Sequence, residues 1–534
     1  MASRNIPKKI DSLFVDANGV FHRSIDEAYG STPEEQKKLS QKYTKKGLKA
    51  RYLDIVVKKL DEVLKKVNPS INFVIAVDGI ANAGKINQQK YRRFNSEIKN
   101  PLFDGRSITP GTQIMFEIDD AIQKWLKSKK DLPPVTIYSS HLEPGEGEHK
   151  IFSFIREKIV DDDGGANIIF GGDGDLAILS SMARLDNIYF WIDDMKNDRD
   201  NFIWSIDKFK DVIYQELKFE KSEKHRVIND FCLLIMFVGN DFLPEFPNLP
   251  STVDALTRVL FPIYRKHSRY IIGPDGKINW KSLLGIFERL QSFKRDGLDL
   301  HGLVLFDPTL KLKFPTPELR DSVTLKDFSG RIVDEEYNVS RHKVFIDKKT
   351  FGQKWYLKQF RPIDDSLYKG KDFYTNKDVF DMCVSYLKTL QWVQTYYTDG
   401  YKKVDDFHFY PYRYTPLFYN ISYFLKSIIE KKDLKLVSDV GPKKKFPITA
   451  VHQLLSVIPP DAVEIIPKQF RVLYPSLRTL NPSKYKILPP EGTSSDHASK
   501  PLIPPINLEF VNFVLQESSV KIPLKYETVE YYKF

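Results

Sequence analysis

Cysteine is nearly absent: only Cys232 and Cys383 occur among 534 residues, and both sit inside apolar runs. No C-x-x-C is present, so a zinc ribbon is excluded, and the two thiols read as small buried hydrophobes rather than a disulfide. Long apolar runs are missing too. The longest, Phe231 to Val238, is far too short to cross a bilayer. Met1 to Lys9 carries no apolar segment of the secretory kind. There is no phosphate-binding P-loop, so a kinase or polymerase reading has no support, and there is no internal repeat. The expectation is a soluble, intracellular, cytoplasmic protein with no membrane partner.

What is present is ample material for folded cores: 42% hydrophobic residues, 13% aromatic, with 37 Phe and 27 Tyr. A chain of this length exceeds one ordinary core, so two or three packed units are expected. The 81 basic and 70 acidic residues give a net charge of +11. That excess suits a polyanionic partner, though many soluble proteins share it.

The first 250 residues alternate short apolar strands with amphipathic helices. Strands are expected at Ser12–Val15, Ile71–Val77, Val135–Tyr138, Asn167–Phe170 and Ile188–Ile192. Helical patterns run over Arg51–Val67 and Thr112–Lys127, and a further helix from Arg226 to Val238 should stop at Gly239. Strands spaced by helices argue for an α/β fold with a parallel sheet covered on both faces. Residues 251–300 look helical around a turn at Gly273–Gly276. Residues 301–370 are mixed and charged, and read as an insert. An aromatic-rich helix follows at Asn376–Tyr397, and Leu488–Asn507, rich in Pro and Ser, reads as a loop.

Three of the strands end alike. Leu13-Phe14-Val15 runs into Asp16, Val74 to Val77 into Asp78, and Ile168 to Phe170 through two glycines into Asp173 and Asp175. Groups beyond the carboxyl ends of parallel strands converge on one rim. Glu146 and Glu148, just before a helix, and Asp241, just after one, are further candidates. One Asp at a strand end is usually a turn or helix cap. The repetition, with glycines flanking most of the acids, favours a shared site. Seven clustered carboxylates would repel one another and need cations. Oxygen ligands without Cys or His favour Mg²⁺, with Mn²⁺ as a substitute, over zinc. Two such ions about 3.5–4 Å apart activate a water and stabilise the leaving oxygen of a phosphodiester.

Just past Asp78, Ala83 to Phe94 reads AGKINQQKYRRF. Lys85, Lys90, Arg92 and Arg93 put four cations beside the acidic rim. Arg binds a phosphate through two parallel charge-assisted hydrogen bonds, and Lys as a point charge. Such runs are more often a solvated helix face, as the Lys-rich runs Lys42–Arg51 and Lys124–Lys130 are taken to be.

Together these segments closely resemble the XRN family of 5′→3′ exoribonucleases. The matching pieces, in family order, are VDANGVFH, AVDGIANAGKINQQKYRRF, ITPGT, PGEGEHK, GGDGDLAIL and DFCLLIMFVGNDFLPEFPNL, with weaker matches through LQWVQTYYTDG, FYPYRYTP and QLLSVIPP. The resemblance implies a PIN/FEN-like nuclease core. It also implies seven acids holding two magnesium ions: Asp16, Asp78, Glu146, Glu148, Asp173, Asp175 and Asp241. A 5′-phosphate pocket would fall on Lys85, Gln89, Arg92 and Arg93, and a base-stacking position on His22. The substrate would be single-stranded RNA with a 5′-monophosphate, and the enzyme a monomer active in RNA decay, releasing 5′-mononucleotides.

Where relatives stack the leading base on a Trp, this sequence reads Asp406-Phe407-His408-Phe409, and His408 aligns best. Only fifteen residues precede Asp16, fewer than the family's usual leading segment, and the chain reads as a minimal core without a long C-terminal extension. The implied organisation is a nuclease region over 1–255, a helical segment and variable insert over 256–375, and a mostly helical second region over 376–534 that buttresses the site. Two competitors remain at this point: a flap-type DNA nuclease and a catalytically inactive RNA-binding scaffold.

Overall fold

The computed structural model describes residues 9–292, 374–488 and 500–534, apart from 162, 184, 193–201, 247, 248, 250 and 251, together with short segments at 2–3, at 7 and between 294 and 356. The expected insert at 301–370 and the middle of the Leu488–Asn507 loop lie largely outside them.

Five parallel strands form the centre of an eight-stranded mixed sheet. They are β1 (Ile10–Asp16), β2 (Asn72–Ala76), β3 (Val135–Ser139), β4 (Ala166–Gly171) and β5 (Ile188–Ile192). Their spatial order is β5-β4-β1-β2-β3, so the chain reverses direction across the sheet at β1. The sequence pattern did not reveal the antiparallel edges: Phe202–Ser205 beside β5, and Tyr532–Lys533 beside β3. Two- and four-residue strands carry too little alternation to be read.

Register brings the strand ends level. Asp16 pairs with Ala76, Ala76 with Ser139, and Val15 with Phe170. The acids that follow these strands therefore leave the sheet on the same rim.

Alternation along the strands splits the core in two. Leu13, Val15, Phe73, Ile75, Ile168 and Phe170 pack under α1 (Asn18–Tyr29), α2 (Lys45–Val67) and α4 (Gln113–Ser128). Phe14, Val74, Ile137 and Ile169 face the opposite side, under α5 (Gly147–Arg156), α6 (Asp175–Met182) and α7 (Lys224–Ile235). Between β2 and β3 on the chain lies α3 (Ala83–Phe94), whose first turn is capped by Asn82 accepting from the Lys85 N–H. Gly239, at φ +90°, ends the extension of α7, as only glycine does without strain.

The second core continues without a break into α8 (Asn376–Asp399), where Met382, Tyr386, Leu390, Trp392 and Tyr396 are buried. A third cluster joins Ala83 and Ile86 of α3 to α9 (Ala450–Val457) and to Val511 and Leu515. The later part of the chain thus packs directly on the helix that carries the basic run. Among the described residues no helix is long and apolar enough to cross a membrane.

Candidate active site

The carboxylates leave the rim and meet partners from distant parts of the chain. Asp78 is held on both oxygens: Asn18 Nδ2 donates to Oδ2 at 2.7 Å and the Gly147 N–H to Oδ1 at 2.8 Å. Asn18 Oδ1 accepts in turn from the Asp78 N–H at 3.1 Å. Glu146 accepts from Tyr396 Oη on Oε1 at 2.8 Å, and its Oε2 lies 2.5 Å from Lys85 Nζ. Lys85 also reaches Asp241 Oδ2 at 2.6 Å, and Gln88 Nε2 donates to the other Asp241 oxygen at 2.9 Å. Asp175 Oδ2 accepts from Tyr397 Oη at 2.7 Å, and its backbone N–H donates to Asp173 Oδ1.

Electrostatics ties all seven together. Burial pushes Asp16 up to about 8, reinforced by Asp78 and Asp173. Burial raises Glu146 to about 7, with Lys85 opposing and Asp78 and Asp241 adding to the rise. Glu148 lies well above the carboxylate range through burial, then Glu146, Asp175 and Asp173. Asp175 reaches about 6 from burial, eased by Tyr397 and reinforced by Asp173 and Asp241. Burial works against the Lys85 charge, yet Glu146 and Asp241 hold it well above its ordinary value.

Among the described residues, no group of three or more His, Cys, Asp or Glu side chains forms a finished cation cage. The donor set nonetheless fits a hard cation. Asp16 Oδ1 and Glu148 Oε2 are buried oxygens without a hydrogen-bond partner, a costly arrangement for ionised groups unless a positive charge joins them. Backbone packs closely around them, since a Cβ on Gly147 would stand 2.9 Å from Asp16 Oδ1.

Lys85, Gln89 and Arg93 recur every four residues and so share one stripe of α3. Lys85 is drawn into the acids rather than standing apart in a separate pocket. Gln89 is bonded to Gln453. Arg93 donates to Thr109 Oγ1 and to the Ile108 carbonyl, at 2.6 and 3.1 Å from Nη2, which ties it to the ITPGT segment. Arg92 is exposed. His22, exposed on α1, lies within electrostatic reach of Arg93, Arg92 and Asp78, at the junction of the two charge sets. His408 is not part of that junction. Its Nε2 lies 2.8 Å from Thr389 Oγ1, its ring is 6.0 Å from Trp392, and its charged neighbours are Lys388 and Lys443.

Several residues at the site were not singled out from sequence: Asn18, Gln88, Thr109, Tyr396, Tyr397 and Gln453. Each lies inside a matched motif, Asn18 beside Asp16, Gln88 within the cation run, and Thr109, Tyr396, Tyr397 and Gln453 in ITPGT, LQWVQTYYTDG and QLLSVIPP, and that placement was the available signal. Lys150, inside PGEGEHK, is another. Fully buried, it donates to the Val77 and Ser140 carbonyls, both at 2.8 Å, and so pins the ends of β2 and β3 together.

Family comparison agrees with this architecture. The model of the XRN 5′-3′ exonuclease N-terminus matches residues 1–102 and 95–192, and that of the Xrn1 helical domain matches 221–295 and 330–487. The 5′-3′ exoribonuclease 1 of Homo sapiens is 24% identical over 533 residues, covering 87% of this chain and 30% of the relative. The 5′-3′ exoribonuclease 1 of Saccharomyces cerevisiae is 27% identical, covering 55% of this chain and 22% of the relative. For the 5′-3′ exoribonuclease 2 of Candida albicans the figures are 28%, 52% and 34%. The matched part thus spans about a third or less of these relatives' length. Among solved structures, the T5 D15 protein co-crystallised with metal ions superposes at a TM-score of 0.29 and 8% identity, over 52% of this chain and 84% of that one, too loosely to argue from. The two family models together cover both the acid-bearing sheet and the helices packed on it, and the chain belongs to the XRN 5′-3′ exonuclease family.

Proposed function

We propose that this chain is a 5′→3′ exoribonuclease that degrades single-stranded RNA bearing a 5′-monophosphate, one nucleotide at a time. The observation that carries the reading is the single rim on which seven acids meet a helix stripe of Lys85, Gln89 and Arg93. Repelling carboxylates beside phosphate-binding groups are what phosphodiester hydrolysis requires and what a scaffold has no use for.

Asp16, Asp78, Glu146, Glu148, Asp173, Asp175 and Asp241 would hold two divalent cations, Mg²⁺ or Mn²⁺. Such ions, when bound, lower the pKa of water and stabilise the oxygens entering and leaving phosphorus. The chain's own groups do the rest. Gln89, Arg92, Arg93 and the inner cation Lys85 bind the terminal phosphate, and a site closed around one phosphate excludes a cap or triphosphate. His22 offers a face to the leading base, worth about 1–3 kcal/mol if stacked. Among the described contacts, His408 is engaged by Thr389, which leaves the stacking role to His22. Asn18, Tyr396 and Tyr397 fix the orientation of their carboxylates. Residues 1–255 form the nuclease region, 256–375 a helical segment with an insert, and 376–534 the buttress. We place the enzyme in the cytoplasm as a monomer.

One gel tests the reading. A single RNA is prepared with 5′-hydroxyl, 5′-monophosphate, 5′-triphosphate and capped ends and incubated with Mg²⁺. Mononucleotides should appear only from the monophosphate. Equal release from all four ends, or no release from any, overturns the proposal. A matched DNA flap substrate distinguishes a flap nuclease.

A further inference from the structure

Gln453 lies in the QLLSVIPP segment, on α9, and is completely buried. Its Oε1 accepts from the Ala81 N–H at 3.1 Å, and its Nε2 donates to Gln89 Oε1 at 2.9 Å. Oxygen and nitrogen of an amide look alike, so their assignment needs an anchor. Here the anchor is a peptide group. A backbone N–H can only donate, so the Gln453 atom facing it is the oxygen. The Gln453 NH₂ then faces Gln89, and an NH₂ can only donate, so the Gln89 atom facing it is also an oxygen. The polarity of both side chains follows from Ala81.

The consequence lies at the far end of the relay. Gln89 is left with its NH₂ free. That group has no hydrogen-bond partner among the described residues and is not one of the fully buried orphan atoms. A phosphate offers only acceptors, so an amide turned NH₂-outward binds it, while one turned oxygen-outward repels it. The same helix reaches the other phosphate group of the stripe. A Cβ on Gly111 would stand 2.9 Å from Ala450 Cβ, so α9 seats closely on the loop whose Thr109 holds Arg93.

We infer that Gln453 is a positioning residue for 5′-phosphate recognition: it sets the direction of the Gln89 amide so that a donor, not an acceptor, meets the RNA end. The inference rests on the reading of Gln89 as a phosphate-binding residue. If it holds, the later half of the chain supplies specificity as well as support.

The test compares the affinities of the full chain for 5′-phosphorylated and 5′-hydroxyl versions of one RNA, by fluorescence anisotropy in EDTA, where no turnover occurs. Their ratio cancels general losses of folded protein. Gln453→Glu keeps the shape, still accepts from Ala81 and, in its ionised form at the alkaline end of the assay range, forces Gln89 to donate inward. It should reduce the ratio about tenfold or more. Gln453→Leu frees the Gln89 amide to rotate and should reduce it less. In a Gln89→Ala background neither change should alter the ratio further. An unchanged ratio in both single variants overturns the inference, as does an equal drop in the Gln89→Ala background. A wild-type ratio of one overturns the phosphate-pocket reading itself, a separate failure.

Discussion

Tyr397 Oη donates to Asp175 Oδ2 at 2.7 Å, across 222 residues of sequence. Tyr396, the residue before it, does the same for Glu146 at 2.8 Å. Adjacent residues on a helix point about 100° apart, so one helix end reaches two carboxylates on different sides of the rim. The helical region is therefore part of the site's own hydrogen bonding.

Tyr397→Phe removes one hydrogen bond to an ionisable oxygen while keeping the ring. A bond to a charged group is worth about 1.5–3 kcal/mol. We expect the Mg²⁺ concentration for half-maximal cleavage to rise about tenfold, with the melting temperature little changed. A titration with the same midpoint as wild type would remove this role from Tyr397.

Mg²⁺ should stabilise the fold. Asp16 and Glu148 each keep a buried oxygen without a partner among the described residues, and burial, reinforced by neighbouring acids, pushes both toward protonation. A cation that binds only the folded chain raises its stability by mass action. The melting temperature should climb as Mg²⁺ replaces EDTA. Asp16→Asn should melt higher than wild type in EDTA and lose most of the Mg²⁺ response. A full response in that variant would place the ions elsewhere.

Gly79 has no room for a side chain. A Cβ there would stand 1.7 Å from the Glu143 carbonyl oxygen and 2.8 Å from Lys150 Nζ. Its own N–H donates to the Gly145 carbonyl, lacing the two acid-bearing loops together. Gly79→Ala should cost more than about 2 kcal/mol and depress cleavage, because backbone must move. Gly441→Ala, with nothing within 4 Å, is the control. Denaturant melts of the two variants decide it, and equal midpoints would refute the clash.

Lys90 sets a pH dependence. It is completely buried, donates among the described residues to the Leu480 carbonyl at 2.7 Å, and burial lowers its pKa from 10.5 to about 7. Between these values the unfolded chain binds the extra proton, so this residue's contribution to stability improves as pH rises from 7 to 10.5. Below 7 both states are protonated and the full cost, at most about 5 kcal/mol, remains. Lys90→Met should therefore stabilise most at pH 6, with the gain shrinking toward pH 10. A gain independent of pH would mean that the ammonium is not the cause.

Arg93 is held in a fork by Thr109 and the Ile108 carbonyl. Arg93→Lys keeps the charge but loses that geometry. We expect preference for the 5′-monophosphate over the 5′-hydroxyl to fall about tenfold, read as the ratio of kcat/KM values. Retention of the wild-type ratio would show that charge alone suffices.

Much of this was written in the chain order itself. Short β-branched apolar runs such as Ile168-Ile169-Phe170, bounded by glycines, read as strands buried on both faces, and acids placed just after such strands leave the sheet at its carboxyl end. That pointed to the parallel sheet and its acidic rim, while the set of Lys85, Gln89, Arg92 and Arg93 was legible only through the family resemblance. Only the tertiary structure decided which groups hold those side chains. Tyr397 on Asp175, Lys85 between Glu146 and Asp241, and Gln453 on Gln89 join residues 61 to 364 positions apart. A hydrogen bond depends on distance and angle in space, and periodicity along a chain carries no record of either.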